Sequence, residues 1–521
     1  MKKSVLLAPA SLLLTLVLLL AVAAPLTVFA SQDILQVELG PELPKAAPSA
    51  RDTLNIRAPQ PFTNFDPHNF AAAVDFMIDR QIYEPLIFRD DQSVYHPELA
   101  TGCTVSADGM TYTFALRPGV KFSNGAPLTA EDVIFSFERA KTAPLLGSYV
   151  AAIESVTKVD DGNVQFKLTA PSAPFLGNVS MVCIINQAHF EAAGDNFADD
   201  PIGTGPYVLE SHDKNVSLTL KANEDYWLGA ASIKTANFKV ITDESTAYLA
   251  FLSGEIDQIS VPTANWQDVK ASGKWTVEEV GSPSVSYVQY NNQLKPFDNV
   301  LVRQAINYAI NREDMLLISV DGLALPTSMM CNPDYIFGAT SDCTQYTYDP
   351  DKARDLLKQA GFENGFDAGQ ILTVAGYFEK MANVLQQNLA DVGITATIET
   401  REFSSYLSDV MNGNYAIGVL ALSLDPDMDA YSVLYTTETI NNLNMARYSN
   451  PVVDELFKQG KTTIDTQKRK DIYKQIVQTV QDDAVYAPCF NTIVPIAYDK
   501  DLFFKNYTSM SMRIYECYWL K

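Results

Sequence analysis

Residues 422–431 read LSLDPDMDAY and set Asp425, Asp427 and Asp429 at alternate positions. Alternating carboxylates open a calcium loop, in which successive oxygens turn toward one cation. Such a loop must then supply Gly at its sixth position for the sharp turn and a bidentate Glu at its twelfth. Counted from Asp425, those positions hold Ala430 and Thr436, and Pro426 sits inside the loop. Calcium chemistry lacks both its turn and its closing ligand, so the three aspartates are read as charges on an acidic loop and no metal is expected.

Catalytic chemistry is equally short of parts. The chain has no G-x-S-x-G elbow, no H-E-x-x-H zinc helix and no G-x-x-x-x-G-K-[ST] phosphate loop. Gly203-Thr204-Gly205-Pro206 is glycine-rich, but Pro206 prevents it from opening a nucleotide-binding helix, and a tight turn is the better reading. The four histidines, His68, His96, His189 and His212, are far apart in sequence. His68 follows Asp66-Pro67 in a turn and reads as structural or solvent-exposed. No catalytic residue, cofactor or metal is assigned.

These residues must be positioned by a chain of 521 residues. At roughly 100–200 residues per domain, that length implies two to four domains. Hydrophobic residues at 47% and charged residues at 19% are ordinary for a soluble globular protein. The formal net charge of −24 argues against nucleic acid, whose phosphates need clustered Lys and Arg.

Lys2 and Lys3 precede an apolar run from Val5 to Phe29, and Val28-Phe29-Ala30 offers the small residues that signal peptidase needs before Ser31. Residues 1–30 are therefore expected to be a signal peptide. An uncleaved anchor is the alternative, since the run is long enough to cross a bilayer. Either way the body of the protein is expected outside the cytoplasm. Residues 31–51, short on aromatics and Pro/Ala-rich at their end, read as a tether. The six cysteines then sit where disulfides persist. Cys331 with Cys343, flanking a short Pro/Gly-containing loop, is the leading pair, and Cys489 with Cys517 a second; no C-x-x-C spacing suggests a redox or metal site.

From Asp52 onward strands and helices mix without a repeat. In TYTFALRPGVKF, Tyr112, Phe114 and Leu116 alternate with Thr111, Thr113 and Ala115, the pattern of a half-buried strand. VSLTLKA and SYVQYNN read alike. Asp349-Pro350 opens a helix that ends before Gly361, and Asn450-Pro451 opens another. A longer helix enters from Asp465, with Ile472, Tyr473, Ile476, Val477 and Val480 as its apolar face. The expected class is α/β, mixed α+β, with domains wrapped around sheets.

Several stretches together resemble one family. ELATGCTVSADGMTYTFALRPGVKFSNGAPLTAEDVIFSFERA (residues 98–140), PIGTGPYVL, NEDYW, YNNQLKPFDNVLVRQAINYAINREDM (residues 290–315), YDPDKARDLLKQAGF, NMARYSNPVVDELF and KRKDIYKQIVQTVQDDAVYAPCF follow in order from about residue 52 to the end. They are similar to the extracytoplasmic solute-binding proteins, family 5, that serve peptide-type ABC importers. The resemblance implies a two-lobed periplasmic-binding-protein-like fold with a hinge and an extra subdomain in lobe one. It implies lobe one over 52–290, lobe two over 291–490 and a return over 491–521. It also implies a solute captured in the cleft, hinge closure and docking on membrane permease subunits that carry cytoplasmic ATPase subunits. A monomer is expected.

The resemblance also places the aspartates. YAIGVLALSLDPDMDAYSVLYT is similar to the strand and loop lining the cleft floor, with Leu420 and Ser423 among its cleft candidates. Peptide-binding relatives carry an amine-binding Asp four residues before the loop proline, where this chain has Leu422, and often Trp seven before it, where this chain has Val419. A buried ammonium without a partner costs several kcal/mol, so Asp425 or Asp427 is a candidate substitute, against the alternative of surface carboxylates. By the same carry-over Phe62, Thr63, Asn64, Tyr149, Tyr287, Tyr290, Asn291, Tyr377 and Phe378 are cleft candidates, each weighed against ordinary core packing. Trp227 reads as structural. Capture of a small peptide is the first functional reading. A non-peptide solute such as an oligosaccharide or small organic molecule, motivated by Leu422 and Val419, is the second, and a secreted hydrolase on the same fold the third.

Overall fold

Two long strands, Thr276–Tyr290 and Tyr486–Tyr498, run antiparallel to one another and carry the architecture. The computed structural model describes residues 34–70, 73–90, 93–334, 336–505 and 512–521, so the expected signal segment lies outside the described residues. The long strands stand mid-way across an eleven-stranded sheet. Outward from Tyr486–Tyr498 follow Gln258–Ser260, Thr53–Ala58, Thr235–Val240, Ser217–Ala222 and Tyr207–Asp213. Outward from Thr276–Tyr290 follow Ile417–Leu422, Phe366–Val374 and Ile394–Arg401. Each end of this sheet has its own core: Leu54, Ile56, Phe238 and Trp519 at one, Tyr290, Ile371, Leu385 and Phe490 at the other. These are two lobes that share two strands.

The pairing of the shared strands breaks where one lobe gives way to the other. It is regular from Thr276 opposite Tyr498 to Gly281 opposite Ile493, and resumes with Val285 opposite Asn491. Asn491 is fully buried in the gap, and its side-chain amide donates to the carbonyls of Ser282 and Ser284 at 3.2 Å each.

A separate five-stranded sheet, in the order Ile34–Gln36, Ala100–Ser106, Thr111–Leu116, Asn163–Leu168 and Ile153–Asp160, builds the extra subdomain of lobe one. Its strands alternate as the sequence predicts, with Tyr112 and Phe114 buried between half-buried threonines. The expected tether is corrected here. Residues 34–36 pair with Ser106–Thr104, Leu43 is buried, and the Ala50 N–H donates to the Trp519 carbonyl at 2.9 Å, so the described part of the segment, from residue 34, is laid onto lobe one. The Gly203–Pro206 turn is explained by close approach: a Cβ at Gly203 would fall 1.9 Å from the Ile82 carbonyl oxygen.

The cysteine pairs are corrected as well. All six cysteines are free thiols. Cys489 packs in a lobe-two core and Cys517 in the lobe-one core, too far apart in the fold to meet. Cys331 and Cys343 share one lobe-two core without a bond, and the Cys343 sulfur lies against Gln345 Nε2 (3.3 Å) and the Thr340 carbonyl (3.7 Å).

Candidate functional site

The strand Ile417–Leu422 ends beside the break in the long strands, with Leu422 opposite Val285. The chain then turns through the acidic loop, and its three aspartates have three different fates. Asp425 reaches across to lobe one, where the Arg89 guanidinium donates two parallel hydrogen bonds to its carboxylate at 3.0 Å each. Arg89 ends the short strand Ile87–Arg89, and only 10% of its side chain is exposed. Burial opposes its charge, but Asp425 more than offsets this and holds the guanidinium above its usual range.

Asp427 turns inward. Its oxygens accept from Arg469 at 2.8 and 2.7 Å in a buried pair, and one also caps the following turn by accepting the Asp429 N–H at 2.8 Å. Asp429 has neither an ion pair nor a hydrogen bond to its carboxylate among the described residues. Burial first, and the neighbouring Asp427 second, push it up to about 6. It faces a cavity of about 320 Å³ that Ser432, Thr437, Phe457 and Lys461 also line.

The other candidates divide into two groups. Tyr149 is half-buried near the Arg89–Asp425 pair, its phenol raised by burial and then by Asp425. Tyr377, half-buried at a helix start, has its hydroxyl 3.4 Å from the Ser286 hydroxyl and its ring centroid 4.0 Å from that of Phe378. Tyr377 and Phe378, with half-buried Leu422 and exposed Ser423, belong to lobe two, whereas Tyr149 packs on the subdomain of lobe one. Thr63 is exposed and donates its N–H and hydroxyl to Asp75 at 2.8 and 2.5 Å, while the Asn64 side-chain Oδ1 accepts the Asp66 N–H at 2.9 Å.

Phe62, Tyr287, Tyr290, Asn291, Val419 and Leu420 are buried. The Phe62 ring is 1% exposed and packs edge-on to Phe238. Tyr287 and Leu420 belong to one lobe-two core, Tyr290 and Val419 to the other. The Tyr290 hydroxyl is spent on the Ala484 carbonyl at 2.6 Å and Asn307 at 2.9 Å, and the Asn291 amide on the Gly413 carbonyl at 3.1 Å. Residues on both faces of these strands are covered, and carry-over from the resemblance did not separate cleft from core. Trp227 donates its indole N–H to buried Glu84 at 3.0 Å.

The arginines escaped the sequence reading. Arg469 had a signal: it lies four residues before Tyr473 and seven before Ile476, on the apolar stripe of the helix Thr466–Asp482, where an unpaired cation is costly. Arg89 had none, because its partner is 336 positions away.

Two lobes on shared strands, with polar and aromatic residues collected beside the break, define a class of proteins that hold a solute between lobes. Residues 94–443 match the family described as bacterial extracellular solute-binding proteins, family 5 Middle. The chain is 32% identical over 458 residues to the dipeptide-binding protein of Escherichia coli (strain K12), covering 81% of this chain and 85% of that one. The fold is similar to that of HbpA2 from Haemophilus parasuis, with a TM-score of 0.82 at 25% identity over 90% of this chain and 99% of that one. It is also similar to the periplasmic binding protein DppA from Helicobacter pylori in complex with the peptide STSA, with a TM-score of 0.70 at 27% identity over 90% and 98%. The chain belongs to the family 5 bacterial extracellular solute-binding proteins. No helix among the described residues is long and apolar enough to cross a membrane.

Proposed function

We propose that this chain is the solute-capturing subunit of an ABC importer and that it takes a peptide or peptide-like solute between its lobes, delivering it to the permease and its ATPase subunits by hinge closure. The observation that carries the reading is the junction itself: two adjacent strands pass between the lobes, their ladder broken at Gly281–Val285, with Tyr377, Leu422 and Ser423 beside the break. A hinge concentrates its dihedral change in a few residues at the end of an element, and a broken ladder takes those residues out of strand pairing. We place the lobe boundary there, at 282–285 and 491–493. The dipeptide-binding relative and the peptide-bound fold neighbour support the solute class.

Within this reading the loop aspartates are poor receivers for a peptide ammonium. Asp425 and Asp427 each have both oxygens taken by an arginine, and Leu422 offers only methyl groups. A peptide amine is therefore held by groups other than these. Leu422→Asp should raise affinity for free-amine dipeptides; unchanged binding by calorimetry removes this position from the site.

The direct test is native mass spectrometry of the purified protein, with release and identification of the bound solute. A ladder of small peptides supports the proposal. A solute without an amide backbone overturns the peptide class and leaves the capture mechanism standing.

A further inference from the structure

Away from the shared strands the lobes touch along an edge that includes the acidic loop. There the Ala173 N–H of lobe one donates to the Lys461 carbonyl of lobe two at 2.8 Å, and Gly109 lies against Ile464. The one ion pair among the described residues that joins the lobes is Arg89 with Asp425. Its geometry is built from both sides. Gly177 leaves room for the guanidinium, since a Cβ there would stand 3.1 Å from Arg89 Nη1 and 3.2 Å from the Tyr95 hydroxyl. The loop brings three carboxylates to this edge, and Arg469 of its own lobe engages only one of them. The acid nearest lobe one is left to a cation that only lobe one supplies. Two parallel bonds between planar groups fix orientation as well as distance.

We infer that Arg89 and Asp425 form a clasp across the mouth of the cleft that sets the resting separation of the lobes in the solute-free protein. The inference rests on the capture reading for its consequence but not for its existence. The clasp limits how far the lobes part, so a solute meets a cleft already near its working width and less ordering is left to complete. An ion pair with one partner more than a quarter exposed is also screened by salt, so the resting separation depends on ionic strength.

Small-angle X-ray scattering tests this on the full protein, confirmed solute-free by native mass spectrometry. Arg89→Gln and the isosteric Asp425→Asn should each raise the radius of gyration and abolish its increase with salt. The charge-swapped double variant, Arg89→Asp with Asp425→Arg, should bring it back toward the wild-type value. Solute affinity should fall roughly tenfold in the single variants. A radius of gyration unchanged in both single variants overturns the clasp. So does an expansion that the swap fails to reverse, which marks a loosened fold. If the wild type captures no solute while the scattering responds as described, the capture reading fails and the clasp stands.

Discussion

Asp425, Asp427 and Asp429 in lobe two have a counterpart in lobe one, where Asp66, Asp75 and Asp79 lie together and are all buried. In both sets an arginine grips at least one acid with two hydrogen bonds: Arg139 holds Asp66 at 2.9 and 2.5 Å, as Arg89 and Arg469 hold theirs. In both, one acid is left over. Among the described residues Asp79 has no hydrogen-bond partner for either oxygen, and burial, then Asp75, raise it well above the carboxylate range. Asp429 keeps a face on a cavity and rises only to about 6. Where no guanidinium is at hand, depth decides how reluctant an acid is to ionise, and the two sets sit on either side of that line.

The comparison breaks most severely if its arginines are removed. Arg469→Ala leaves Asp427 buried with no counter-charge and should cost about 3–5 kcal/mol, read as a shift of the denaturant midpoint; a loss near zero would show that water replaces the guanidinium. Next comes Asp79. Its native form binds a proton that the unfolded chain releases near the ordinary carboxylate value, so its contribution is complete below that value and is lost as pH rises toward the native one. Asp79→Asn should remove a slope of about 1.4 kcal/mol per pH unit across that window, making the variant the relatively more stable protein at neutral pH. Parallel slopes for variant and wild type would place a partner beside Asp79. Asp429→Asn has the same sign in a narrower window, from about 4 to about 6, and should change the pH dependence by at most about 3 kcal/mol. The smallest effect is Asp465→Ala. Asp465 caps the helix that bears Arg469 by accepting the Lys468 N–H at 2.9 Å, and its loss should cost about 1 kcal/mol without altering either acid.

What the sequence revealed follows the reach of the interactions. Asp349, Asn450 and Asp465 each cap the helix expected of them, and Tyr473, Ile476, Val477 and Val480 are buried as the period demands. These are contacts within one turn, written in adjacent letters. The shared strands were read as one short strand because their length comes from pairing across 200 residues, and the tether was misjudged because its partners, Thr104–Ser106 and Trp519, lie elsewhere in the chain. At the site the loop was found, but its charge partners were not. A carboxylate's role is set by whichever cation the fold brings to it, and no local pattern records that Arg89 meets Asp425.

The free thiols have a consequence for experiment. Cys103, Cys183 and Cys517 are buried in lobe one and its subdomain, Cys331 and Cys489 in lobe two, and burial pushes Cys331, Cys489 and Cys517 up to about 12. A thiol so placed reacts only when its surroundings come apart, so each one is a clock for local opening. Labelling rates at these native positions time the breathing of each lobe separately, with no reporter group added to the molecule.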